Sequence, residues 1–448
     1  MQLIMNKIKG ILYSVALIAL VIMAGCSSDR SGDVRGLLQT IPSDASMVTV
    51  VDLKSVLEKA GCEVDGTKVK PGKDIAKVIG ESADAKTKEM LERLQDGGID
   101  PSVAAVFIEG YNTYLTGFIA DTDKFKTLIE EKATEKFRTE GEVEVCGNMA
   151  ISGERFWGCV SSNNTINVND VKHFLSLSEK QSILSNEIAA KLEDLEHDMK
   201  GWGDIKGCLN SVGLDFTSRA SVTMALEAMF VDAVEFVWEV DFNKGEFDAD
   251  MTVLNSKGGI AKFNFPAAKI DGDVVKKIGG TADSFAAIAV NPEMVKKLKE
   301  ETGGKGFSMI GMLAGMISCV DGTCAAALSG PGNVNGVIST TGHGTADLVN
   351  ALGQFGLTVS KEDNVLRVSQ GAVAGPLSAS DAAEALKGAL AGVVYGGNEK
   401  PLKLEAISTM SITFKPEKGG LQAEIKVKGK DGKKNILLAL IQSASERR

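Results

Sequence analysis

The sequence predicts an α+β fold of two related halves, each an antiparallel sheet with helices covering one face. Three observations predict it. Short alternating apolar segments follow one another across tight glycine turns, the pattern of hairpins and meanders. Stretches with apolar residues three and four apart separate the strand groups. The succession of strand, helix and strand then restarts beyond Gly280.

Met47 to Asp52 reads as a strand and Leu53 to Ala60 as a helix that Gly61 stops. Lys73 to Ile79 and Ala85 to Gln95 read as helices, the second placing Met90, Leu91 and Leu94 on one face. Val103 to Glu109 and Tyr114 to Ala120 form a hairpin, followed by a helix from Asp123 to Lys132. Glu142 to Cys146, Met149 to Ser152, Phe156 to Ser161 and Thr165 to Val168 read as a meander. Ser178 with Gln181 has capping-box spacing, and Ile183 to Met199 reads as amphipathic helix broken by Gly201-Trp202-Gly203. Ala220 to Ala228, Ala233 to Phe242 and Phe247 to Leu254 alternate as strands, the last two joined at Asn243-Lys244-Gly245.

The restart is ordered. Ser46 to Val50 is echoed by Ser284 to Ile288, Asp100 to Val106 by Asp321 to Ala327, and Lys124 to Glu130 by Ala346 to Leu352. Ser178 to Leu195 is echoed by Ser378 to Val394. In the closing hairpin, Phe242, Gly245, Phe247, Ala249, Asp250, Met251 and Val253 correspond to Phe414, Gly419, Leu421, Ala423, Glu424, Ile425 and Val427. The period far exceeds that of a solenoid, so the expected organisation is a pair of halves, at 41–278 and 279–448.

Hydrophobic residues make up 44% of the chain, enough for packed cores. The net charge of −10, with Lys426 to Lys434 as the only short basic end, argues against a nucleic-acid partner. Aromatics at 5% give no support to a sugar-stacking platform. The histidines, His173, His197 and His343, lack the spacing of a zinc helix, and no Gly-x-Ser-x-Gly elbow occurs. His197 between Glu196 and Asp198 reads as part of a solvated helix face. Gly342-His343-Gly344-Thr345 reads as a turn with Thr345 capping the next helix. Phe307 to Ile317 is an apolar stretch too short to span a bilayer, and reads as a buried helix. Asp248 and Asp250 share one strand face and read as a solvent-facing strand edge. No catalytic residue, cofactor site or metal site is assigned. Cys62, Cys146, Cys159, Cys208, Cys319 and Cys324 suit either disulfides or small buried thiols.

The N-terminus carries the one specific chemistry. Lys7 and Lys9 precede an apolar run from Ile11 to Met23, then Ala24, Gly25 and Cys26. Met1 and Met5 are both possible starts. Met23-Ala24-Gly25-Cys26 resembles the lipobox of bacterial lipoproteins, with Met23 where Leu is usual. That resemblance implies removal of residues 1–25 and acylation of Cys26, with 26–40 as a tether. Each buried acyl CH₂ contributes about 0.8 kcal/mol, so several chains hold a soluble domain at a membrane. Ser27 and Ser28 resemble residues that direct lipoproteins to the outer membrane.

Ile41 to Ala45 leading into Val48 to Lys54 and a helix ending near Gly61, behind that lipobox, resembles a family of Bacteroidetes lipoproteins known as a domain of unknown function. The resemblance implies a location more than an activity. The expected function is a lipid-anchored envelope protein, non-enzymatic, that binds an envelope partner or supports an assembly. The alternatives are a lipid-anchored hydrolase with a cleft between the halves and a carrier of an apolar ligand.

Overall fold

A computed structural model describes residues 34–445, apart from 67, 83–97, 132, 134, 161–165, 212–215, 266–267, 294–295, 297–316, 343 and 398–405. Eighteen strands form one continuous sheet. The first half supplies β1 (Met47–Asp52), β2 (Ile99–Glu109), β3 (Asn112–Ile119), β4 (Arg138–Glu140) and β5 (Val143–Cys146). It continues with β6 (Met149–Ser152), β7 (Arg155–Cys159), β8 (Met199–Asp204), β9 (Ala233–Phe242) and β10 (Glu246–Asn255). The second half supplies β11 (Ser284–Val290), β12 (Val320–Leu328), β13 (Val334–Thr340) and β14 (Thr358–Glu362). Then follow β15 (Val365–Gln370), β16 (Ala391–Gly396), β17 (Ile407–Glu417) and β18 (Gly420–Gly429).

All neighbours in this sheet are antiparallel, and the halves meet at β10 and β18. Outward from that join the first half runs β10, β9, β8, β1, β2, β3, β7, β6. The second half runs β18, β17, β16, β11, β12, β13, β15, β14. Strand for strand the two orders are the same, with β4 and β5 as additions to the first half. The sequence repeat is thus a repeat of topology. The halves share one sheet by edge pairing and do not face each other across a gap.

Helices lie on both faces of the sheet in each half. In the first half α1 (Val34–Gln39) lies on one face, so 34–39 belong to the fold and not to a tether: Leu37 and Leu38 are fully buried. They join Val48, Phe107, Trp157 and Trp202 in the core. On the opposite face α2 (Leu53–Lys59), α3 (Lys73–Ser82) and α4 (Thr122–Glu130) cover the outer strands. Asp52 caps α2 through the Ser55 N–H, and Gly61 follows at φ +94°, where only glycine is unstrained. The first face is completed by α5 (Val168–Ser176). Then come α6 (Ile205–Ser211) and α7 (Phe216–Met229). In the second half α8 (Gly272–Lys276) covers the first face, α9 (Thr345–Gln354) the outer part of the opposite one. On the first face α10 (Ala379–Leu386) joins α8, and on the opposite face α11 (Ile436–Ser445) seals one end.

Three segments differ from their expected state. Ala220–Ala228 is within helix α7, because its alanines and methionines propagate a helix that alternation alone did not reveal. Ile183 to Met199 forms short 3₁₀ turns and then enters β8, so Gly201 and Gly203 lie inside a strand. There they make room for rings: a Cβ on Gly201 would sit 2.1 Å from Trp238, and one on Gly203 2.6 Å from Phe236. Val168 starts a helix instead of ending a strand, with Asn167 as its cap. The cap of α9 is Gly344 at φ +66°, with Thr345 as the first helical residue. Ala85 to Gln95, Phe307 to Met316, His343 and Cys26 lie outside the described residues.

Candidate functional site: an apolar sheet face and a charged join

Alternation along β9 sends Trp238, Phe236 and Val240 to one face and Glu235, Glu239 and Asp241 to the other. Strand pairing extends that separation across the join. One row runs Trp238, Met251, Ala423, Phe414, Ala391, Ile288, each directly opposite the next. At about 4.8 Å per strand it is about 24 Å long. The next row, Val240, Ala249, Ile425, Ile412, Val393 and Ala286, is apolar as well.

This face is partly exposed. Met251 is 38% exposed, Phe414 42% and Ile288 41%. Trp238 stacks on Phe236 with ring centroids 5.5 Å apart. Leu440 of α11 borders one end of the strands, and Leu226 of α7 packs with Val253 and Leu421 at the other. Between them lies an apolar trough floored by residues from both halves.

The opposite face of the same strands is charged. Glu239, Asp250 and Glu424 stand in one row across β9, β10 and β18. Asp248 and Asp250, expected at a solvent-facing edge, sit on an interior strand, and Asp250 is half-buried. Burial alone would raise Glu424, but Lys415 at 2.5 Å and Lys426 at 3.3 Å hold it below the usual carboxylate range. Burial and then Glu424 push Asp250 above that range.

His197 is not on a solvated helix. It precedes β8 and bridges two carboxylates, Nδ1 to Asp241 at 2.7 Å and Nε2 to Glu239 at 3.2 Å. Beside it Asp198, 2% exposed, accepts from Lys59 Nζ at 2.7 Å, Ser55 Oγ at 2.6 Å and the Phe242 N–H at 2.6 Å. Ser55 therefore donates to Asp198, while both nitrogens of His197 face carboxylates. Neither ring nitrogen of His197 faces Ser55 as a base, and the group fastens β8, β9 and α2 together. Its residues are far apart in sequence, and only the single peptide step from His197 to Asp198 hinted at it.

No disulfide joins the six described cysteines. Burial pushes the Cys62 thiol up to about 11. Burial, with Asp204 nearby, takes Cys208 to about 12; burial, with Cys319 nearby, takes Cys324 to about 12. Among the described residues no group of three or more His, Cys, Asp or Glu side chains is arranged to hold a metal ion. No described helix is long and apolar enough to cross a membrane.

No family model and no curated protein matches this chain. Among solved structures, crystal form III of TP0453 is similar at 10% identity and a TM-score of 0.30, covering 78% of this chain and 96% of that one. Crystal form I of TP0453 is similar at 9% identity and a TM-score of 0.29, covering 78% and 95%.

Proposed function

We propose that this chain is a lipid-anchored cell-envelope protein, held at the outer membrane through Cys26, that works by binding a protein partner and not by catalysis. The observation that carries the binding half is the continuous apolar row from Trp238 through Met251 and Phe414 to Ile288. Its length of about 24 Å matches about 16 residues of helix at 1.5 Å each. Alternation of large side chains with Ala423 and Ala391 leaves hollows for the knobs of an amphipathic helix. The lipobox-like Met23-Ala24-Gly25-Cys26 supports the anchoring half.

The test is cross-linked pull-down from envelopes with the native protein, Met251→Glu, Phe414→Glu and a control, Phe355→Glu, at a residue 71% exposed elsewhere. The expected result is one protein band that the control retains and both trough variants lose. Equal recovery by all four proteins overturns the docking face. Loss of a bound lipid, with no protein band, moves the reading to an apolar-ligand carrier. The hydrolase reading has one observation in its favour, the opposed carboxyls of Asp250 and Glu424. Because Glu424 is tied to two lysines, those groups are better explained as structural.

A further inference from the structure

Strand pairing places three carboxyl groups, those of Glu239, Asp250 and Glu424, directly opposite one another where the two halves join. Like charges in directly opposed positions destabilise a ladder. Two of the three have partners. Glu239 faces His197 at 3.2 Å and Lys200 at 3.9 Å, and Glu424 has Lys415 and Lys426. Among the described residues Asp250 forms no ion pair. The groups around it are Glu239 and, diagonally, Asp241 on β9, and Glu424 with Lys426 on β18. Asp248 lies on its own strand and Lys415 one strand beyond on β17. Lys426 is engaged by Glu424 at 3.3 Å and Asp248 at 3.5 Å, and Asp241 by His197.

We propose that this row makes the join between the two halves proton-sensitive: a proton on Asp250 tightens the β10–β18 ladder, and its loss toward neutral pH loosens it. Asp250 is the member that takes the proton, since lysines hold Glu424 ionised while burial and Glu424 itself disfavour the Asp250 carboxylate. A carboxyl that binds its proton more tightly when folded adds stability below its unfolded value. That stability is lost as pH rises through the folded value. Through Asp250 the join therefore gains strength in acid and loses it toward neutral pH, whatever occupies the apolar face.

Hydrogen exchange of the full chain tests this on the segments 246–255 and 420–429, at about pH 7.5 and about pH 4.5, corrected for intrinsic rates. Asp250→Asn keeps the shape and removes the charge. Its join should exchange about threefold or more slowly than the parent's at the higher pH, with the ratio falling toward one at the lower. Glu239→Gln, which leaves Glu424 and its lysines in place, should act in the same direction by a smaller factor. It carries the test if Asp250→Asn fails to fold. A ratio that does not change with pH, or faster exchange in either variant at the higher pH, overturns the proposal.

Discussion

Asp250 lies directly opposite Glu424, and these two residues are each other's counterparts in the repeat. The relation extends to both sides. Ala249 pairs with Ile425, the counterpart of Met251, while Met251 pairs with Ala423, the counterpart of Ala249. Equivalent strands paired antiparallel in this register have a two-fold relation whose axis passes between Asp250 and Glu424. The repeated topology and the repeated sequence therefore converge on one point of the sheet. The asymmetry of partners there, among the described residues two lysines for Glu424 and none for Asp250, is where the halves have diverged in charge.

Glu424→Gln removes the acceptor of Lys415 and weakens the hold on Lys426, both part-buried. Loss of such charge-assisted bonds costs about 1–3 kcal/mol. Because the native carboxyl lies below its ordinary value, its contribution is present above the unfolded value and lost as pH falls through the native one. Urea unfolding should show the variant weaker at neutral pH, with the gap closing in acid. A gap that widens in acid would contradict the assignment.

Asp198 is a nearly fully buried carboxylate with Lys59, Ser55 and the Phe242 N–H upon it. Asp198→Ala leaves the Lys59 ammonium without its partner and should cost about 3–5 kcal/mol, read from the urea midpoint. His197→Ala, at a part-exposed site, should cost less. If the two variants were equally stable, the fastening would centre elsewhere.

Much of this fold is legible in sequence where local signals and tertiary context agree. Met47–Asp52 and Met149–Ser152 fall where alternation places them, and Ser178 with Gln181 forms its capping box. The signal fails where one residue type serves two structures. Gly201 and Gly203 read as breakers, yet they are strand residues whose missing side chains admit Trp238 and Phe236. The apolar trough was invisible for a different reason. Each strand alone shows one apolar face, and nothing local says that the described helices leave part of that face exposed at the join.

Gly201→Ala tests that ring packing. Its Cβ would enter the Trp238 ring, so the indole must move, at a cost of about 1–3 kcal/mol. Trp238 lies in the trough, and its displacement should also shift the tryptophan emission. Unchanged stability and emission would show that the ring does not rest on the glycine.

Thiol reactivity gives a test of burial in both halves. With thiol values near 12, Cys208 and Cys324 hold very little thiolate at about pH 8. Alkylation followed by peptide mass mapping should find both modified about 100-fold or more slowly in the native chain than in urea. Rapid native labelling of Cys324 would place it outside the cluster with Cys319 and Leu366.

The proposed anchoring rests on one sulfur. Cys26→Ser removes the thiol that would be acylated, so metabolic palmitate labelling should vanish and the protein should move from the membrane to the soluble fraction. The trough variants Met251→Glu and Phe414→Glu should keep the label, because their positions lie in the sheet and not at the N-terminus. Membrane retention by Cys26→Ser would have two readings, separated by the trough. If Phe414→Glu in the same chain then releases it, the apolar face holds the protein at the membrane through its partner. If it does not, the attachment lies in neither place.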